Sequence, residues 1–120
     1  MPNKLTYAIR FVGNMEQAVR FYRDTMGLTL MFQSPDWSEF ATGETRLALH
    51  SASERNPVGK VQLGFSVPDL QAFYEQMTAR GITFTQLPTE EAGSKLARFL
   101  DAEGVECSVS EQPKAGAKAW

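Results

Sequence analysis

Residues 6–15 read TYAIRFVGNM, and residues 61–70 read VQLGFSVPDL. Each is an apolar, strand-like run ending in a valine, Val12 or Val67, with a helix-capping residue type two positions later, Asn14 or Asp69. The chain behind each copy is also alike. After the first comes NMEQAVRFYRDTMG (14–27), with Met15, Ala18, Val19 and Tyr22 at helical spacing and Gly27 where a helix stops. After the second comes DLQAFYEQMTARG (69–81), with Leu70, Phe73, Tyr74 and Met77 in the same rhythm and Gly81 at its end.

Three strand-like runs follow each helix. Behind the first they are LTLMFQS (28–34), WSEFAT (37–42) and TRLALHS (45–51), the last two joined by the turn GET. Behind the second they are ITFTQL (82–87), KLARFL (95–100) and VECSVSE (105–111), with PTEEAGS as an added loop and DAEG as the closing turn. Gly43 and Gly104 mark equivalent turns 61 residues apart. The chain is therefore one βαβββ unit written twice, over about 4–51 and about 61–111. The linker 52–60 carries Pro57 and Gly59, and the Ala/Lys/Gly-rich tail 112–120 is expected to fray.

At 120 residues the chain is long enough for one compact body with a core of its own. Its 42% hydrophobic and 22% charged residues are those of a globular protein, and a net charge of −2 gives no footprint for nucleic acid. The lone Cys107 closes no internal disulfide, and there is no CxxC or Cys/His cluster for zinc. No apolar run approaches the roughly 20 residues of a membrane span, and the first residues lack the apolar core of a signal peptide. A cytoplasmic location without membrane partners is the expectation.

Four stretches in order, VGNMEQAVRFYRDTMGL, GETRLALH, LGFSVPDLQAFYEQM and FLDAEGVECSVSE, resemble the glyoxalase, bleomycin-resistance and extradiol-dioxygenase superfamily, also called vicinal oxygen chelate proteins. The resemblance covers the chain to about residue 111. It implies an α+β fold in which two tandem βαβββ units form a curved mixed sheet around a cleft. It also implies a single divalent ion held by His, Gln or Glu from four strands, two per unit. Laid on that pattern, this chain offers Tyr7, Leu47, Gln62 and Ser108. Only Gln62 is a reasonable donor, through its amide oxygen; Leu47 has none, and neutral Tyr7 and Ser108 are poor ones. No metal and no other cofactor is therefore expected, because an open site needs about three good protein donors.

Other residues carry competing readings. Tyr7, Ile9 and Phe11 share a strand face that the family pattern turns toward the cleft, either as an aromatic ligand wall or as core packing. Trp37 stacks on a ligand or partner chain, or plugs the core. Glu106 shares the face of Ser108, reaching the cleft or standing solvated on its hairpin. His50 lies on the face opposite Leu47 and reads as an edge or surface histidine, and Glu39 reads as solvent-facing. Arg10 occupies the helix-facing side of its strand, where an apolar residue is expected; its stem snorkels to the edge or its charge pairs with an acid across a subunit contact. The FY pairs at 21–22 and 73–74 read as helix packing, and Cys107 as an inert core thiol.

The candidate ligand-binding set is thus Tyr7, Ile9, Phe11, Trp37, Leu47, Gln62, Glu106 and Ser108, with no catalytic residue identified. Three functions compete. The first is a metal-independent binder that sequesters a planar or aromatic small molecule. The second is a glyoxalase-like lyase or isomerase, or a ring-cleaving dioxygenase, with a metal on donors such as Gln62 and Glu106. The third is a noncatalytic interaction or regulatory protein. A homodimer is expected in each case, since sheet edges in such a fold need cover.

Overall fold

The computed structural model describes residues 3–91 and 93–112, so the expected frayed tail lies outside the described residues apart from Gln112. The chain divides into two compact units, Thr6–Gln62 and Leu63–Trp120 with Met1–Leu5. Its class is α+β.

The first copy of the repeat runs β1 (Lys4–Val12), α1 (Met15–Arg20), β2 (Thr29–Gln33), β3 (Trp37–Ala41) and β4 (Arg46–Ser51). Its strands lie in the order β2-β3-β4-β1, with β1 parallel to β4 and the other pairs antiparallel. Asn14 caps α1, its Oδ1 accepting from the Gln17 amide at 3.0 Å. The helix does not continue as α to Gly27, however. From Phe21 to Thr25 it widens into a π-helical turn, with the Met26 amide bonded to the Phe21 carbonyl at 2.9 Å. One face of the sheet packs under this helix through Val19, Phe40 and Leu49, all buried, with Val12, Met15, Tyr22, Leu30 and Leu47 around them. Burying each large aliphatic side chain contributes roughly 1.5–3 kcal/mol.

The second copy runs β5 (Val61–Val67), α2 (Leu70–Ala79), β6 (Phe84–Glu91), β7 (Ser94–Leu100) and β8 (Glu106–Glu111), with strand order β5-β8-β7-β6 and β5 parallel to β8. Asp69 caps α2 through the Ala72 amide at 3.0 Å. Here the helix layer is aromatic: Val67, Leu70, Ala97 and Val109 are buried against Phe65, Phe73, Phe84 and Phe99. The expected added loop PTEEAGS is mostly strand. β6 continues through Pro88 to Glu91, absorbing it with two register shifts against β7.

The register between β1 and β4 places Tyr7 beside Arg46, Ile9 beside Ala48 and Phe11 beside His50. That between β5 and β8 places Gly64 beside Ser108. Gly64 is the repeat partner of Ile9, so Ser108 corresponds to Ala48, and Leu47 corresponds to Cys107. Leu47 accordingly packs on the helix side, which corrects the expectation that it shares a face with Tyr7. The equivalent glycines misled because the hairpin loops differ: 42–45 joins β3 to β4, but the longer 101–105 joins β7 to β8.

Candidate functional site

The face of the first sheet opposite α1 carries Tyr7, Ile9 and Phe11 from β1, Arg46, Ala48 and His50 from β4, and Trp37 and Glu39 from β3. Tyr7, Ile9, Phe11 and Ala48 are buried as one cluster, with Trp37 and Ala52 packed against it. Trp37 and His50 meet the two aromatic rings of this cluster. Trp37 stands edge-on to Tyr7, with centroids 5.4 Å apart, and edge-on to His50 at 5.9 Å, while Phe11 and His50 lie 5.1 Å apart. Trp37 is held at its strand start by Ser34, whose Oγ donates to the Trp37 carbonyl at 2.7 Å and accepts from its amide at 3.0 Å. The His50 Nδ1 lies 2.8 Å from the Ser51 carbonyl. A carbonyl only accepts, so that nitrogen carries a proton, and Nε2 is the ring's other polar atom.

Two sequence readings are corrected on this face. Glu39 is not solvent-facing but 3% exposed, and Arg46 Nη1 reaches its Oε1 at 3.3 Å. The pair is diagonal across the β3–β4 hairpin, since Glu39 lies beside Ala48 and Ala41 beside Arg46. Tyr7 adjoins it. Burial first, then the Glu39 charge and a hydrogen bond to Glu39, push the Tyr7 hydroxyl far above its ordinary ionisation range. His50, in turn, is no edge residue but one wall of the ring cluster. A β-bulge at Met31 turns Phe32 onto this face opposite Glu39, where it is largely exposed. The sequence shows an acid between Trp37 and Ala41 on an alternating run and a base just past the turn, but only the β3–β4 register brings the two together.

The corresponding face of the second copy is polar. Gly64 and Ser66 of β5 stand beside Ser108 and Ser110 of β8, and Arg98 of β7 stands beside Ser108. Glu106 is buried and accepts a hydrogen bond from Thr85 Oγ1 at 2.6 Å, so it is not a solvated hairpin carboxylate. Arg98 donates to Gln86 Oε1. Gln62 is buried on the same parity of β5. Cys107 faces the helix layer opposite Phe99, and burial raises its thiol, followed by Asp101 and Glu106.

The divalent ion implied by the family resemblance does not fit this donor set. The corrected register offers Tyr7 and Ala48 in the first copy, Gln62 and Ser108 in the second. Those are a phenol held protonated, a methyl group, an amide and a neutral hydroxyl. Among the described residues no three of His, Cys, Asp or Glu converge in a way that could hold a metal.

The remaining sequence-marked residues sit elsewhere. Phe21, unlike Tyr22, Phe73 and Tyr74, is not packed under its helix but is 49% exposed. Arg10 is exposed, and its Nη1 donates to the Gly59 carbonyl at 3.3 Å.

The family model described as Glyoxalase/Bleomycin resistance protein/Dioxygenase superfamily matches residues 4–109. An uncharacterized protein of Mycolicibacterium smegmatis is 29% identical over 94 residues, covering 76% of this chain and 78% of that protein. A hypothetical protein of Bacillus halodurans superposes with a TM-score of 0.80 at 19% identity, over 98% of this chain and 100% of its own. The methylmalonyl-CoA epimerase of Streptomyces coelicolor, in complex with 2-nitronate-propionyl-CoA, does so with 0.78 at 15% identity, over 96% and 98%. A Legionella pneumophila structure described as an NAD-dependent benzaldehyde dehydrogenase gives 0.74 at 19%, over 93% and 100%. At these identities the likeness shows the fold alone.

Proposed function

Because the chain belongs to the Glyoxalase/Bleomycin resistance protein/Dioxygenase superfamily, its own departures from that family's donor pattern decide its reading, and we propose that it is a metal-independent binding protein for a small planar organic molecule. The observation that carries this is Ala48. Where the family pattern calls for a donor, the first copy has a fully buried methyl group, packed with Tyr7, Ile9 and Phe11 and flanked by Trp37 and His50. Such a surface suits an aromatic body, and the Arg46 guanidinium and His50 Nε2 suit polar substituents on its rim. Gln62, Glu106 and Ser108, on the polar face of the second copy, are secondary candidates. A thermal-shift and calorimetric screen of planar aromatic metabolites and antibiotics tests this. Stabilisers are expected whose effect is lost in Trp37→Ala and Arg46→Gln; ligands indifferent to both substitutions, or about one equivalent of zinc, nickel, iron or manganese in protein prepared without chelator, would overturn it.

A second reading, an enzyme that moves a proton without a metal, is favoured by Glu39, a buried carboxylate beside Arg46 and Tyr7 on that same face. The expected sign is solvent deuterium appearing in a bound ligand, and its loss in Glu39→Gln. We also propose that the chain acts in the cytoplasm as a homodimer. Light scattering at tens of micromolar giving 13.4 kDa, the mass of one chain, would reject the dimer.

A further inference from the structure

The two copies differ sharply in how they fill the layer between first strand and helix. On the register that equates Asn14 with Asp69, both of them helix caps, Phe65 and Phe73 of the second copy correspond to Arg10 and Ala18 of the first. In the second copy those two rings pack into the helix-side core, with Phe73 5.9 Å from Phe99. In the first copy a charged side chain and a methyl group stand in their place, and a groove of about 400 Å³ opens there. Its walls are Phe21, Tyr22 and Val58, with Gln17 and Ala18 along α1 and Arg10 from β1.

Three features make this groove more than a packing defect. The π-helical turn that begins at Phe21 leaves that ring largely exposed, edge-on to Tyr22 at 5.1 Å, so the groove has an aromatic wall. Val58, 69% exposed, forms the opposite lip, and Gly13 lies beneath it: a Cβ there would come within 3.1 Å of the valine methyl. Arg10 is the charged member of the lining, and its hydrogen bond among the described residues is to a neutral carbonyl, that of Gly59. A carbonyl takes up one N–H of a guanidinium that carries five.

We propose that this groove is a binding site for a small organic carboxylate with an aromatic or short acyl body, the carboxylate on Arg10 and the body between Phe21, Tyr22 and Val58. The guanidinium fork matches a carboxylate in geometry and charge, and the Gln17 amide supplies a further neutral donor. The volume lies in the range of small-molecule pockets. The site is on the helix side of the first copy, so it is separate from the Tyr7 face and does not depend on that reading.

Phenylacetate is the probe, with the neutral phenylacetamide and the body-less acetate as controls. Titrated into the whole protein and followed by backbone amide NMR shifts, phenylacetate is expected to move residues 10–22 and 57–60, with the controls at least tenfold weaker. Arg10→Gln should weaken phenylacetate tenfold or more. Ala18→Phe, which refills the groove as the second copy does, should abolish the shifts while the circular-dichroism spectrum stays unchanged. No shift at 20 mM phenylacetate, equal response to phenylacetamide, or affinity unaffected by both variants would overturn the proposal. So would a dimer in light scattering that Arg10→Gln dissociates while phenylacetate leaves it unaffected, because the groove would then hold a second copy of the chain.

Discussion

Replacing Arg46 by methionine should destabilise the protein more than replacing both members of the Glu39–Arg46 pair. The two groups are 3.3 Å apart, with side-chain exposures of 26% for Arg46 and 4% for Glu39. At an effective dielectric near 20 their attraction is about 5 kcal/mol, most of it offset by desolvation of the carboxylate. Arg46→Met leaves that carboxylate buried without its cation. Losing one partner of a buried pair costs about 3–5 kcal/mol, and the quarter exposure of Arg46 argues for the lower end, about 3 kcal/mol. For a chain of this size that is a fall in Tm of roughly 10–15 °C. Glu39→Gln removes the charge but keeps a polar oxygen in its place, and the released guanidinium is partly solvated, so about 1 kcal/mol is expected. In the double variant no buried charge remains, and the loss should return to about 2 kcal/mol, a coupling of about 2 kcal/mol. Urea denaturation of the four proteins, read by circular dichroism, measures each corner. If the double variant is as unstable as the two single losses added together, to within about 0.5 kcal/mol, the pair is not a unit and the burial argument is wrong.

Three further outcomes are expected. The folded state holds the Tyr7 phenol protonated above its ordinary value of about 10, so its contribution is fully present below that pH and is lost as the unfolded chain ionises above it; urea midpoints should fall between about pH 9 and pH 11, less steeply in Tyr7→Phe. Leu49→Ala, at a fully buried position of the first core, should cost about 2–5 kcal/mol, whereas Leu63→Ala, 40% exposed on β5, should cost under about 1 kcal/mol by the same denaturation assay. Asn14→Ala and Asp69→Ala each remove a helix cap and should each cost about 1 kcal/mol, a matched pair that also tests the equivalence of the copies.

Element order was legible in the sequence because each signal was local. Strand runs, the caps Asn14 and Asp69, and the stop glycines act within a few residues, and the structure places β1, β4, β5 and α2 within two residues of where those signals put them. What failed depended on distant parts of the chain. Pro88 reads as a breaker, yet β6 carries it at an irregular register against β7, a pairing that no window around Pro88 contains. Glu39 reads as solvated because a lone carboxylate in a strand normally is; its burial depends on Arg46, across a hairpin whose register no local signal sets. The FY pairs look identical but sit at different distances from their caps, seven residues after Asn14 and four after Asp69, so Phe73 takes the place of Ala18 and packs, while Phe21 falls on the π-helical turn and stays half-exposed.

The largest error, one residue in the register of β4, has unequal consequences for the two main conclusions. Side chains alternate across a strand, so a slip of one exchanges the helix side for the opposite face. For the metal question the exchange replaces Leu47 by Ala48, one donor-free side chain by another, and the mismatch between this donor set and a divalent ion survives it. For the ligand question the exchange changes everything. With Leu47 on that face its strand neighbours are Thr45 and Leu49, and the surface is a bland apolar sheet. With Ala48 there the neighbours are Arg46 and His50, and β3 brings Trp37 and Glu39 to the same side. The corrected face has a buried methyl group at its centre, aromatic rings around it, an ion pair and one imidazole. Recognition of a particular planar molecule needs polar groups placed around an apolar bed. Ala48 therefore marks the donor that the first copy lacks, and Arg46, Glu39 and His50 supply the polar groups that stand around it instead.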